Sequence, residues 1–118
     1  MTYDDFNHGS MEQFETGLTY WLERGLPPEK LVIGLPFYSR PSGTPFSKIV
    51  ERDPAAALLD RIDSNGSEEI YNGIPTIQQK TERALAEVGG VMFWTLDYDA
   101  TGELSLLNAI DETVNGGN

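Results

Sequence analysis

Oxygen-bearing side chains recur at every second place in the segment DYDATGELSLLN. Asp97, Asp99 and Thr101 occupy its first, third and fifth places, and Gly102 occupies the sixth. This spacing is typical of an EF-hand loop, in which such oxygens bind calcium. The twelfth place, however, holds Asn108 where an EF-hand loop has a bidentate glutamate. The same residues would also suit the polar end of a strand that is followed by a helix.

The residues before this segment favour the second interpretation. The run VMFWTL, residues 91–96, is apolar without alternation, which is typical of a strand covered on both faces. The run LVIGLPFY, residues 31–38, has the same character. An EF-hand loop needs a helix on each side, so we predict no calcium site and no other metal or cofactor. Asp99 and Thr101 are then turn residues, and Gly102 lies at the tightest point of the turn.

Helices are predicted between and after these runs, from capping residues and helix breaks. The helix over DPAAALLDRI is short, while RPSGTPFS and DSNGSEE are predicted to be loop and turn. A polar strand tip, MTYDD, precedes the first helix. Alternating strands and helices of this kind predict an α/β fold of parallel βα units. The predicted N-terminal caps are Ser10, Asp53, Thr76 and Ser105.

The three predicted strands each end in an aromatic residue with a charged residue nearby. Carboxyl ends of parallel strands meet at one edge of a sheet, where α/β proteins place their sites. Aromatic rings have apolar faces that can stack on a sugar ring, while charged groups bond to its hydroxyls. The sequence thus predicts a sugar-binding edge. Its candidate residues are Tyr3, Asp4, Tyr38, Arg40, Trp94 and Asp97.

Composition excludes several other functions. The 118 residues suit one domain, and the net charge is −11, with 8 basic against 19 acidic residues. Without a basic stripe, a nucleic-acid partner is not expected. The chain has no cysteine for a disulfide or thiolate zinc site, and its one histidine, His8, cannot build a histidine metal cluster. No apolar run approaches membrane-spanning length, so a membrane partner is not expected either.

Four segments together resemble the end of a family 18 glycoside hydrolase, the chitinase family: MTYDD, KLVIGLPFYSR, YNGIPTIQQKT and GGVMFWTLDYDATGELSLLNAI. The resemblance implies that residues 1–118 are the C-terminal portion, strands six to eight, of a TIM (β/α)8 barrel. It implies a need for the missing N-terminal half, and it implies no large insertion subdomain, hence an open groove suited to endo-type cleavage. The implied activity is retaining, substrate-assisted cleavage of β-1,4-linked N-acetylglucosamine polymers such as chitin, with no cofactor.

The resemblance also implies roles for the candidate residues. Tyr3 would hold the N-acetyl group of the substrate for its attack on the anomeric carbon. Trp94 would form the hydrophobic floor of the −1 subsite. The other implied substrate-binding residues are Asp4, Tyr38, Arg40 and Asp97.

One family motif is absent from the sequence. The general acid of the family lies in Asp-x-x-Asp-x-Asp-x-Glu on the fourth strand, and this chain has no such motif. DRIDSNGSEE, from Asp60, imitates its start, but the acidic spacing is wrong and a helix precedes it. Without a general acid the leaving oxygen is not protonated. The 118-residue chain alone is therefore expected to be inactive.

Three alternatives share these strand ends: a peptidoglycan N-acetylglucosaminidase of the same family, a non-catalytic chitin-binding lectin, and a free-standing three-layer α/β binding domain. In the chitinase interpretation the complete protein is expected to be secreted or on the cell surface. If the chain stands alone, its strands should expose an apolar patch. The predicted members of that patch are Val32, Leu35, Met92 and Trp94.

Overall fold

The computed structural model describes residues 10–64 and 66–116. Within them, β1 and β4 form a parallel pair and β2 and β3 an antiparallel hairpin. The prediction of an α/β fold with a parallel sheet is confirmed here, whereas the predicted first strand tip, with Tyr3 and Asp4, lies outside the described residues. The helices and strands are α1 (Met11–Glu23), β1 (Val32–Pro36), α2 (Phe46–Arg52), β2 (Arg61–Ser64), β3 (Ser67–Ile70), α3 (Ile74–Glu87), β4 (Gly90–Trp94) and α4 (Leu106–Gly116).

The parallel pair aligns the carboxyl ends of β1 and β4. Its register runs from Val32 opposite Gly90 to Pro36 opposite Trp94. One further bond continues it, since the Phe37 amide donates to the Trp94 carbonyl at 2.8 Å. The residues after β1 and the residues after β4 therefore start from the same edge of the sheet.

Alternation along β1 decides which side chains enter the core. Leu35 and Phe37 are fully buried, and the Phe37 ring stacks on that of Phe93 with centroids 4.8 Å apart. Val32 points to the opposite face and is 52% exposed. The prediction that Leu35 shares an exposed patch with Val32 is wrong, because residues three apart on a strand lie on opposite faces.

The middle of the chain differs from its prediction. The predicted helix over DPAAALLDRI is a 3-10 turn, Pro54–Leu58, that gives way to strand β2. Tyr71 explains the change: its amide bonds to the Asp60 carbonyl at 2.9 Å and its hydroxyl to the Ala56 carbonyl at 2.7 Å. These long-range contacts outweigh local helix propensity. The predicted turn is the tip of the hairpin, where Gly66 has φ +82°.

Helix α3 begins three residues earlier than predicted. Its N-cap is Gly73, and Thr76 lies inside the first turn, so the predicted Thr76 cap is wrong. The Asp60 carboxylate engages the Thr76 hydroxyl, which donates to it at 2.7 Å, and also accepts from the amide of the N-cap residue Gly73 at 3.0 Å. A side chain at Gly73 would meet the Leu59 carbonyl oxygen at 2.2 Å, which explains the glycine there.

Lys80 is a buried cation between the helices. Only 1% of the residue is exposed, its Nζ lies 2.6 Å from Asn72 Oδ1, and the ring centroid of Phe14 is 5.7 Å away. Burial lowers the pKa of Lys80 from 10.5 to about 8, although the negative charge of Asp60 opposes this effect. The folded state therefore favours the neutral amine more than the unfolded state does.

Among the helices that the structure describes, none is long and apolar enough to cross a bilayer.

The Lys80 shift predicts that stability rises with pH between about 8 and 10. In that window the unfolded chain holds the Lys80 proton and the folded chain releases it, so the unfolding free energy gains up to ~1.4 kcal/mol per pH unit. Above pH 10 Tyr71 opposes the gain, because burial raises its pKa to about 12. Thermal unfolding at one fixed protein concentration should show this slope for wild type and the exposed control Lys30→Met. Lys80→Met should lack it; an equal slope there would contradict this account.

The outward apolar residues of the sheet predict self-association of the 118-residue chain. Val32, Trp94 and Leu96 are each more than half exposed, and apolar patches of this kind recruit another surface. Light scattering should detect species larger than a monomer. Val32→Lys should shift them toward monomer, while Val114→Lys, on exposed α4 surface, should not. A monodisperse wild-type monomer with a cooperative thermal transition would overturn the prediction.

Candidate functional site

Trp94 is an exposed indole at the carboxyl end of β4. It pairs with Pro36 in the sheet register, yet 54% of it is exposed to solvent. Most large aromatic side chains of a small domain are largely buried. In the 118-residue chain about half of the Trp94 surface is therefore uncovered at the strand end.

Two tyrosines and an arginine contact one another beyond the same strand ends. The rings of Tyr38 and Tyr98 meet edge to face, with centroids 6.3 Å apart. The Arg40 guanidinium carbon lies 5.3 Å from the centroid of the Tyr38 ring. Tyr38 and Arg40 follow β1, and Tyr98 follows β4, so the parallel pairing brings them to one edge.

The predicted site residues are only partly described by the structure. Tyr38, Arg40 and Trp94 follow or end the two paired strands, at the carboxyl edge of the sheet. Asp97 is exposed in the 3-10 turn Leu96–Tyr98. Tyr98 was missed by the sequence reasoning, which assigned roles only to the polar residues and the glycine of its segment. Its position after a strand run, like that of Tyr38, was the signal that could have identified it.

The segment that carries Tyr38 and Arg40 is a tight loop fastened to β3. It folds back on itself through a bridge between Tyr38 and Pro45. The Arg40 amide donates to the Ile70 carbonyl at 2.9 Å, and the Ile70 amide donates back at 2.8 Å. The hairpin therefore lies at the same edge of the sheet as Tyr38 and Arg40.

Glu69, next to Ile70, is a buried carboxylate. Its Oε1 accepts hydrogen bonds from the Ser39 hydroxyl at 2.7 Å, the Ser42 amide at 3.2 Å and the Ser42 hydroxyl. Burial by itself raises the pKa of Glu69, but these hydrogen bonds outweigh it and leave the pKa below its ordinary value of 4.5. Glu69 is thus an anion at neutral pH. Sequence reasoning missed it as part of a turn.

The acidic run that imitates the family's acid motif has structural contacts instead. Asp60 binds the Gly73 amide and the Thr76 hydroxyl at the start of α3, and Glu69 accepts hydrogen bonds from Ser39 and Ser42. Glu68 points to the other side of β3 and forms an exposed ion pair with Arg61 at 3.5 Å. That this run is not the family's acid motif stays a prediction.

Asp99 and Ser105 together satisfy the first amides of helix α4. Its two oxygens accept from the Leu106 amide at 2.6 Å, the Leu107 amide at 3.0 Å and the Ser105 hydroxyl at 2.7 Å. The predicted Ser105 cap is confirmed, since its oxygen accepts from the Asn108 amide at 3.0 Å. Residues 97–108 thus connect a strand to a helix.

The turn in that segment has the predicted glycine. Gly102 has φ +71°, a conformation that favours glycine. In residues 10–64 and 66–116 we find no group of three His, Cys, Asp or Glu side chains arranged to hold a metal ion.

Solved structures similar to this chain were found by comparison. The chitinase ChiB from the chitin utilization locus of Flavobacterium johnsoniae is 31% identical, with a TM-score of 0.85 over 98% of this chain and 41% of its own. A chitinase from Bacteroides thetaiotaomicron is 30% identical, with a TM-score of 0.83 over 100% of this chain and 45% of its own. The structural neighbours are GH18 chitinases and chitinase-like proteins. No protein-family model and no curated protein matched the sequence.

These neighbours imply the context of a TIM barrel for the small parallel sheet described here. Human YKL-39, a pseudo-chitinase with retained chitooligosaccharide binding properties, shares the fold at 18% identity, with a TM-score of 0.70 over 95% of this chain and 42% of its own. The chain therefore spans about two-fifths of the length of the structures that it matches.

The Asp99 contacts predict a capping role rather than a calcium site. Asp99→Ala should lower the unfolding free energy by about 1–2 kcal/mol, because two helix amides lose their acceptor. The exposed neighbour Asp97 provides a matched control, and Asp97→Ala should change stability little. Millimolar calcium should leave the melting temperature of the wild-type chain unchanged. An increase that a chelator reverses would revive the EF-hand interpretation, and equal stability of the two variants would contradict the capping role of Asp99.

Proposed function

We propose that this chain forms strands six to eight of the catalytic barrel of a family 18, chitinase-type glycosidase, without the large insertion subdomain. The observation that carries the proposal is the half-exposed Trp94 at the sheet edge where Tyr38, Arg40 and Tyr98 contact one another. Two chitinases with 30% and 31% identity over nearly the whole chain support it. The substrate class is a β-1,4-linked polymer of N-acetylglucosamine.

The residues at this edge suit such a sugar. The Trp94 ring offers an apolar face to the C–H groups of a pyranose and forms the floor of the −1 subsite. The Arg40 guanidinium supplies donors for hydroxyl and acetamido oxygens, and the exposed Asp97 carboxylate supplies acceptors. Tyr38 lines the groove beside them. A neutral, hydroxyl-rich polymer also tolerates the acidic balance of the chain, −11 at pH 7.

The proposed reaction is a retaining hydrolysis in which the N-acetyl oxygen of the substrate attacks the anomeric carbon. Tyr3 would hold that N-acetyl group and Asp4 would contact the sugar beside the cleaved bond. A general acid must protonate the leaving oxygen, and its motif is absent from these 118 residues. We therefore assign the acid to another part of the complete protein and expect the chain alone not to hydrolyse chitin oligomers. Because an insoluble polymer stays outside the cell, we expect the complete protein to be secreted or held at the surface.

A chitin-binding protein without catalysis is the second candidate. It is suggested by the likeness to human YKL-39, described as a pseudo-chitinase with retained chitooligosaccharide binding. A peptidoglycan N-acetylglucosaminidase would use the same edge on a different polymer. Comparing N-acetylchitooligosaccharides with peptidoglycan fragments as substrates separates these candidates.

Substitution of Trp94 tests the proposal in the complete protein. Trp94→Ala should remove on the order of 1–3 kcal/mol of sugar binding and therefore most of the hydrolysis of a fluorogenic N-acetylchitooligosaccharide. The matched control is Trp21→Ala, because Trp21 is similarly exposed, at 46%, but lies on helix α1. Its activity should equal that of wild type. Unchanged turnover by Trp94→Ala would refute the proposal, and tight binding without any wild-type hydrolysis would favour the lectin.

A further inference from the structure

The proposed reaction gives no role to the buried, charged side chain of Glu69. Glu69 is 4% exposed on β3, and its carboxylate faces away from solvent. A buried charge is costly unless hydrogen bonds satisfy it. Its hydrogen-bond donors are therefore the contacts that explain its presence.

All the donors that reach Glu69 come from one segment, residues 39–44. A single oxygen, Oε1, accepts from the Ser39 hydroxyl, the Ser42 amide and the Ser42 hydroxyl. The Ser39 oxygen in turn accepts from the Thr44 amide at 3.2 Å, and the Ser39 amide donates to the Thr44 carbonyl at 2.9 Å. The carboxylate thus lies at the centre of the loop and joins its two arms.

Ile70, the next residue of the hairpin, binds the same loop through its backbone. Ile70 exchanges two hydrogen bonds with Arg40, at 2.9 and 2.8 Å. The loop is therefore held by the Glu69 side chain and by the β-bridge between Ile70 and Arg40. The loop they fasten carries Arg40 and directly follows Tyr38.

We propose that Glu69 is a positioning residue, which holds the 39–44 loop in the conformation that presents Arg40, and Tyr38 just before the loop, at the sheet edge where β4 ends in Trp94. The proposal rests on the proposed function, because it assigns Tyr38 and Arg40 to sugar binding. The β2–β3 hairpin is then the support of one groove wall. It acts through the loop and does not itself contact substrate.

The chain offers closely matched variants for this test. Glu69→Ala removes the acceptor, while Glu69→Gln keeps an Oε1 in the same place and should rescue most of the effect. Glu68→Ala is the control, because Glu68 neighbours Glu69 on the same strand but is exposed and paired with Arg61. All variants are made in the complete protein.

Two readouts are compared. The first is steady-state hydrolysis of an N-acetylchitooligosaccharide. Glu69→Ala should raise KM on the order of ten- to a hundredfold and leave kcat nearly unchanged, since misplaced binding groups weaken substrate contacts. The second is hydrogen exchange by mass spectrometry. Amides of residues 39–44 should exchange at least about tenfold faster in Glu69→Ala, while peptides from α3 keep their wild-type rates.

Faster exchange confined to the loop, together with the rise in KM and its rescue by Glu69→Gln, supports the proposal. Unchanged exchange in the loop overturns it. Faster exchange with an unchanged KM also overturns it, because the loop then has no effect on binding. If wild type neither binds nor hydrolyses the oligosaccharide, the proposed function fails instead. The exchange rates alone then decide whether Glu69 holds the loop.

Discussion

The parallel pairing of β1 with β4 is the constraint on which the rest of the structure depends. Five residue pairs fix the register, and the last of them sets Trp94 opposite Pro36. Because parallel strands end at the same edge, Tyr38 and Tyr98, which are sixty residues apart, can pack edge to face. A shift of one residue in this register would turn the core-facing Leu35 and Phe37 outward, so the core and the candidate site are specified together.

Hydrogen bonds to two carboxylates then fix the segments that follow β1 and β4. The Glu69 carboxylate and the Ile70 backbone fix the loop after β1, and Asp99 fixes the start of the helix after β4. In both places a single carboxylate accepts several hydrogen bonds from one turn. Hydrogen bonds to a charged group are stronger than those between neutral groups, so each carboxylate stabilises the conformation of its turn.

The sequence predicts the parts of this fold that depend on local patterns. The two apolar runs correspond to β1 and β4. Short-range capping signals predict where α1 and α4 begin. At the start of α1, Ser10 accepts from the Gln13 amide as predicted. Predictions fail where distant contacts decide. Tyr71 and Asp60 turn a predicted helix into a 3-10 turn and a hairpin, and Asp60 moves the cap of α3 away from Thr76.

The same distinction holds at the candidate site. Trp94, Tyr38 and Arg40 were predicted because they follow apolar runs directly. Glu69 was missed because its importance depends on serines nearly thirty residues earlier, which no local pattern connects to it. Sequence order alone also gave no reason to pair Tyr98 with Tyr38. Local sequence patterns therefore predict the candidate ligand-binding residues. The residues that hold them in place depend on long-range contacts and are not predicted.

The central claim is that the Trp94 ring contacts an N-acetylated sugar, and fluorine NMR of the complete protein labelled with 5-fluorotryptophan tests it most directly. The Trp94 and Trp21 resonances are assigned by their loss in the Trp94→Phe and Trp21→Phe variants. We predict that an N-acetylchitooligosaccharide shifts the Trp94 resonance in a saturable manner and leaves that of Trp21 unmoved. A cello-oligosaccharide, which lacks the N-acetyl group, should have a much weaker effect. A Trp94 resonance that does not move at saturating N-acetylchitooligosaccharide would contradict the account.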